Sequence, residues 1–174
     1  DEIDARRWLI ERQAPSWVFY VLGSLWVLCR AKGLQLKTGL SFQVKSRVPE
    51  GMGVSSSAAL EVATTRALCR LMGVLNRGKE LAHLCQRAEN RIVGAPCGLM
   101  DQLTVEHGKP GSLLPILCRP DILRHTIVLP HGVVIVGWAS GGKHAVSASP
   151  YTTARTATFM GKRIFEEKVG CQWS

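Results

Sequence analysis

The chain has 174 residues, 46% hydrophobic and 20% charged, with 22 Lys and Arg against 13 Asp and Glu for a net charge of +9. That mixture excludes a disordered or low-complexity chain and suits one globular domain with its own core. The charge favours anionic ligands without choosing among nucleotides, nucleic acid and lipid headgroups, and no basic run exceeds a pair (Arg6-Arg7, Lys162-Arg163), the pattern of a solvated surface.

In chain order, the first strong element is WVFYVLGSLWVLC, residues 17–29. It is apolar on all faces and shorter than the roughly 20 residues of a membrane span, which predicts a core helix and no membrane partner. Pro15 suits its first turn and Gly33 its end. The acidic opening, with Arg12 ahead of the apolar run, lacks the layout of a secretory leader. The six cysteines (29, 69, 85, 97, 118, 171) form no C-x-x-C pair, which excludes a zinc ribbon or dithiol redox motif. Cys29, Cys69 and Cys85 fall in helical patterns as small buried hydrophobes, and a reducing, cytoplasmic setting is expected.

Leu40, Phe42, Val44 and Val48 alternate with polar residues and predict a half-buried strand. The stretch VPEGMGVSSSAALEVA, residues 48–63, follows. Leu60, Ala63, Ala67, Leu68 and Leu71 then mark a helical face, with Gly73 as its stop. A second helix is predicted over 79–91, with Leu81, Leu84, Cys85 and Ala88 on one stripe and Glu89 at its flank. After the turn VGAPCG comes a third helix, from 99 to about 106, ended by the stretch from Gly108 to Gly111. Strands are predicted at 113–118, 125–129 and 133–138, and a last helix at 151–168. This order predicts an α+β fold, a sheet with helices on one side.

A strand, a glycine-rich turn and a helix start together make an anion site. Glycines let backbone approach the ligand, and free N–H groups point out of the first helical turn. The helix dipole is worth only about 0.3–1 kcal/mol, whereas each hydrogen bond to a charged oxygen contributes about 1.5–3 kcal/mol. The backbone donors therefore dominate, and they need small side chains around them. A serine hydroxyl there can also ligate Mg²⁺. Without other features, a Gly/Ser turn is more often a serine-capped helix, and no G-K-[ST] follows as in a P-loop.

The wording Pro49, Gly51, Gly53, Val54, Ser55, Ser56, Ser57, Ala58, Ala59 resembles the phosphate-binding motif of the GHMP kinases, and VSSSAALEVA their galactokinase branch, where leucine is usual at Val54. AENRIVGAPCGLMDQLTVEHG, residues 88–108, is similar to that family's segment with the metal-binding glutamate and catalytic aspartate. SGGKHAVSASPYTTARTATFMGKRIFEE, residues 140–167, resembles the segment after the sheet in galactokinases and, more closely, in plant-type L-arabinokinases.

The resemblance implies a ribosomal protein S5 domain 2-like GHMP kinase N-terminal domain, incomplete, over 1–148, with the start of the C-terminal region over 149–174. It implies ATP and Mg²⁺ as cofactors and L-arabinose or galactose phosphorylated at the anomeric hydroxyl. Gly51, Gly53, Val54, Ser55, Ser56, Ser57 and Ala58 would wrap the phosphates. Ser57 and Glu89 would hold Mg²⁺, Asp101 would be the catalytic base, and Gly98, Asp101 and Tyr151 would meet the sugar. Cys97 would lie against the sugar or, as the first reading, serve as a buried structural thiol.

The chain also departs from the family. Nothing between Asp1 and Trp17 is like the family's opening sugar-binding signature, and the sequence stops at Ser174, short of the second domain that the family carries. Ala139 and Lys143 stand where relatives have Asp and Arg. A central fragment of a sugar kinase, with its own activity open, is therefore expected. Two other readings stand beside it. One is an inactive or regulatory relative. The other is a basic RNA-binding module of S5-like fold, against which the aromatics weigh because they cluster in the apolar helix. Neither the sugar nor the oligomeric state follows from the sequence.

Overall fold

The computed structural model of the protein describes residues 1–118, 121–138, 140–141 and 149–170. It is a mixed assembly of helices and short strands, in which helices carry the core. The acidic opening is itself a helix, α1 (Glu2–Glu11), which the sequence reading did not anticipate. Its signal is a capping box: Asp1 accepts from the Asp4 N–H at 2.9 Å, and Asp4 accepts from the Asp1 amino group at 2.8 Å.

The apolar run forms α2 (Ser16–Lys32), which Gly33 ends in the left-handed conformation, as expected. After it come α3 (Ser56–Leu71), α4 (Lys79–Ala88), a π-helical turn (Glu89–Val93) and α5 (Met100–His107). The helix expected over 79–91 thus changes its pitch at Glu89. Both the Gly94 and the Ala95 N–H reach back to the Glu89 carbonyl, at 2.9 and 3.1 Å. Gly94, at φ +83°, makes that closure possible, and the Arg6 guanidinium lies where a Cβ would stand.

The helices bury Leu9, Val27, Ala88 and Ile92 in one cluster and Leu28, Leu68 and Cys69 in another. Val62, Leu81 and Cys85, then Ala82, Leu99 and Leu103, extend the core toward α5. Each large aliphatic side chain so buried contributes about 1.5–3 kcal/mol. α2 comes close to the π-turn at Gly23, where a Cβ would lie 3.1 Å from that of Ile92.

The face expected on α3 is corrected. Ala63, Ala67 and Leu71 point to solvent, while Ala58, Glu61, Val62, Thr64, Thr65, Leu68 and Cys69 are buried. Apolar periodicity pointed to the wrong side because the buried face carries polar residues.

The strands are also corrected. β1 (Ser112–Leu113) pairs antiparallel with β4 (Ile127–Val128), Ser112 facing Val128. β2 (Ile116–Cys118) pairs with β3 (Asp121–Leu123), Ile116 facing Leu123. The strand expected over 113–118 is interrupted at Pro115, which has no N–H for a ladder. Residues 40–48 and 133–138 join no sheet, and Phe42, Val44, Ile135 and Trp138 are exposed. A strand forms only when a neighbouring strand takes its N–H and C=O groups, and among the described residues no strand pairs with either stretch. The single sheet with helices on one side is therefore not formed among the described residues. The last helix is α6 (Ser149–Val169), as expected. No described helix is long and apolar enough to cross a membrane.

Candidate functional site

The serine stretch adopts a conformation that favours close approach of a ligand to backbone. Gly51 and Gly53 have φ of +70° and +71°, and a Cβ on either would meet nothing within 4 Å. Ser55 also sits in the left-handed region, at φ 58° and ψ 41°. For an L-residue this conformation costs about 1–2 kcal/mol. Ser55 precedes the first turn of α3, yet its side chain makes no capping hydrogen bond. The first N–H with a helical acceptor is that of Ala59, bonded to the Ser55 carbonyl at 3.0 Å. The N–H groups of Ser56, Ser57 and Ala58 precede that bond and have no acceptor within the helix. Ala58 is fully buried, whereas Gly53 and Val54 are exposed, so the turn stands out from a helix anchored in the core.

One turn beyond Ser57, on the same face of α3, Glu61 is fully buried. Its Oε2 accepts from Gln102 Nε2 at 3.2 Å. The same amide nitrogen donates to Glu89 Oε2 at 2.6 Å. Cys97 Sγ also donates to Glu89 Oε2, at 3.1 Å. One amide group thus joins α3, the π-turn and α5. Glu61 Oε1 and Gln102 Oε1 are buried without a partner among the described residues.

Burial pushes the Glu61 carboxyl well above its usual range. The neighbouring Glu89 charge adds to that rise, the Gln102 hydrogen bond opposes it, and Asp101 adds a little more. Burial likewise raises the Cys97 thiol, with Glu89 next, which makes Cys97 a hydrogen-bond donor and not a nucleophile. Tyr20 of α2 feels the same cluster: burial first, then Glu89 and Glu61, push its phenol up to about 12.

Glu89 was expected at a helix flank but is almost fully buried. Both of its donors go to Oε2, so Oε1 has no protein donor among the described residues. Asp101 lies partly exposed in the first turn of α5, beside Gln102, where the helix dipole favours its charge. Gly98 is exposed, with open space where a Cβ would stand. Cys97 is the buried thiol of the first reading. The backbone places Tyr151 in the first turn of α6, its side chain lying outside the described residues. Ala139 and Lys143 also lie outside them.

The structure thus links Glu89 to Glu61, the residue one turn after Ser57, and to Gln102, the neighbour of Asp101. Sequence reading missed Glu61 and Gln102. A signal was present: an acid four residues after Ser57, on a helix that must bury one side.

Among the described residues, no three His, Cys, Asp or Glu side chains gather as a metal cage. Mg²⁺ needs no such cage, since it takes one or two protein oxygens and completes its shell with phosphate oxygens and water. A serine hydroxyl and the unencumbered Glu89 Oε1 fit that donor set.

Comparison with known proteins bears on the same residues. The family profile described as GHMP kinases N terminal domain matches residues 20–109. The chain is 39% identical over 162 residues to an L-arabinokinase of Arabidopsis thaliana, covering 93% of this chain and 16% of that protein. It is 40% identical over 155 residues to a galactokinase of Chloroflexus aggregans, covering 89% of this chain and 39% of the relative. A galactokinase of Chloroflexus aurantiacus is 34% identical over 170 residues, covering 98% of this chain and 43% of the relative. The chain therefore spans less than half the length of each of these relatives.

Proposed function

From the premise that the chain belongs to the GHMP kinase family, we propose that it supplies the phosphate- and metal-binding part of an ATP-dependent sugar kinase. The sugar would be L-arabinose or galactose, phosphorylated at the anomeric hydroxyl. The observation that carries this reading is the strained turn before α3, where Gly51, Gly53 and Ser55 take left-handed backbone and the next N–H groups lack helical acceptors. Local strain of this kind gathers at ligand clamps.

The residues then have separate tasks. The N–H groups of Ser56, Ser57 and Ala58 hold phosphate oxygens, and the Gly51–Val54 turn folds over them. Ser57 and Glu89 Oε1 would hold Mg²⁺, which neutralises phosphate charge when bound with the nucleotide. Asp101, partly exposed, accepts or orients the proton of the attacking sugar hydroxyl. Gly98 leaves room for the sugar ring, and Tyr151 contributes a further sugar contact. Phosphoryl transfer needs positioning and charge neutralisation more than covalent help, and a backbone cradle fixed to a buried helix provides positioning.

The reading carries a fold and a boundary with it. Residues 1–148 belong to an S5 domain 2-like N-terminal domain, and 149–174 open the C-terminal region.

Two variants test the loop by calorimetry. Gly53→Val crowds the backbone against the phosphates, and Ser57→Ala removes a metal ligand. Both should weaken Mg–ATP binding, and undiminished binding in both would refute the loop assignment. For the chemistry, in a kinase completed with the segments its relatives carry beyond this chain, a coupled ADP-release assay with L-arabinose and galactose should show Asp101→Asn slowed about 10²–10⁴-fold with Mg–ATP affinity retained. An active Asp101→Asn enzyme would remove the catalytic role.

A further inference from the structure

We propose that Gln102 and Glu61 are positioning residues for the metal-binding carboxylate: Glu61 holds the Gln102 amide, which holds Glu89 by Oε2 and leaves Oε1 toward the cation. This rests on the proposed role of Glu89.

Three observations lead to it. First, Gln102 and Glu61 are both fully buried, where an arbitrary polar side chain would be destabilising. Such groups persist in a core when they hold something in place. Second, the bonds are one-sided. Gln102 at 2.6 Å and Cys97 at 3.1 Å both load Glu89 Oε2, and no described residue donates to Oε1. A carboxylate anchored through one oxygen presents the other in a fixed direction. Third, the network joins the right elements. Glu61 stands one turn from Ser57 on α3, Glu89 opens the π-turn, and Gln102 follows Asp101 on α5. The spacing of the phosphate cradle, the metal carboxylate and the base therefore passes through one amide group.

The chemistry of glutamine suits this task. Its NH₂ has two hydrogens and can serve two carboxylates at once. A Lys or Arg there would neutralise Glu89 and compete with a cation. An amide orients the carboxylate without removing its charge. Partners behind metal ligands are typically worth 10–100-fold in metal affinity.

The test is Mn²⁺ binding by the chain in the presence of ATP, followed by electron paramagnetic resonance, beside ATP binding without metal. Gln102→Leu should weaken Mn²⁺ binding about 10–100-fold and change metal-free ATP affinity less than about threefold. Glu61→Leu, which frees the amide, should act in the same direction. Glu61→Gln keeps an oxygen that can accept from Gln102 and should restore most of the affinity. If Gln102→Leu does not fold, the two Glu61 variants decide the matter. A purely structural role predicts equal losses with and without metal. Equal losses, or folded Gln102→Leu and Glu61→Leu proteins with unchanged Mn²⁺ affinity, would overturn the inference. Glu89→Gln separates the two levels. If it too leaves Mn²⁺ affinity unchanged, the metal role of Glu89 fails and this inference with it. If Glu89→Gln loses the metal while Gln102→Leu and Glu61→Leu do not, only the positioning role fails.

Discussion

Two substitutions in the turn before α3 should change stability in opposite directions. Gly53 has φ +71° and open space around the position of a Cβ. Gly53→Ala therefore meets no neighbour, and its cost is conformational. A left-handed L-residue costs about 1–2 kcal/mol, while the stiffer unfolded chain returns about 0.4–1 kcal/mol. A net loss near 1 kcal/mol is expected, lowering Tm by about 2–4 °C in a chain of this size. Ser55 already bears the same strain at φ 58°, and its hydroxyl makes no cap. Ser55→Gly should relieve about 1–2 kcal/mol and lose about 0.4–1 kcal/mol to unfolded-state freedom, ending neutral to slightly stabilising. Binding should move the other way for Ser55→Gly. A looser turn must be ordered on contact with phosphate, and about 0.4–1 kcal/mol of added ordering weakens Mg–ATP affinity roughly two- to fivefold. Urea denaturation at constant m gives the stabilities, and calorimetry gives the affinities. A neutral Gly53→Ala together with a clearly destabilised Ser55→Gly would refute the left-handed turn.

Other consequences can be measured on the same chain. Burial raises the Glu61 carboxyl, so the folded state holds that proton more tightly than the unfolded state. Its contribution to stability is complete below the ordinary carboxyl range and is lost as pH rises through the raised folded value, at no more than about 1.4 kcal/mol per pH unit. Glu61→Gln should flatten that fall in urea titrations above pH 5, and identical pH slopes would contradict it. Tyr20, raised to about 12, should ionise late. Tyr20→Phe should delete the late step in tyrosinate absorbance, and an unchanged titration would show that Tyr20 does not face the cluster. Gly23→Ala on α2 recovers about 1 kcal/mol of helix propensity. It also sets a methyl 3.1 Å from Ile92 Cβ, and overpacking of this kind costs about 1–3 kcal/mol. The net change should be a loss of up to about 2 kcal/mol by thermal unfolding, and a gain would mean that α2 and the π-turn are less closely packed.

Sequence pattern located α2, α4, α5 and α6 because each has a local signal: an apolar run, a strong stripe or a glycine stop. It failed on α1, where the signal lay in the Asp1–Asp4 capping box and not in hydrophobicity. It also failed on the buried face of α3. Glu61, Thr64 and Thr65 occupy that face, and polar residues that bury themselves are invisible to apolar periodicity. The strand expected over 40–48 has the right alternation and that over 133–138 an apolar run, but a ladder depends on partners that no local pattern reveals. At the site, the loop residues and Asp101 could be picked out by motif resemblance. The Gln102 bridge could not, because it joins residues 41 and 13 positions apart.

The most direct measurement of the central claim is amide NMR of the chain titrated with Mg–ATP. Bound phosphate oxygens would take the N–H groups of Ser56, Ser57 and Ala58, so these amides and that of Gly53 should move most, downfield for the three serine-turn donors. The same titration of Gly53→Val should leave them in place. Saturable Mg–ATP binding with the largest shifts elsewhere, and still amides from 53 to 58, would contradict the assignment of this turn as the phosphate cradle.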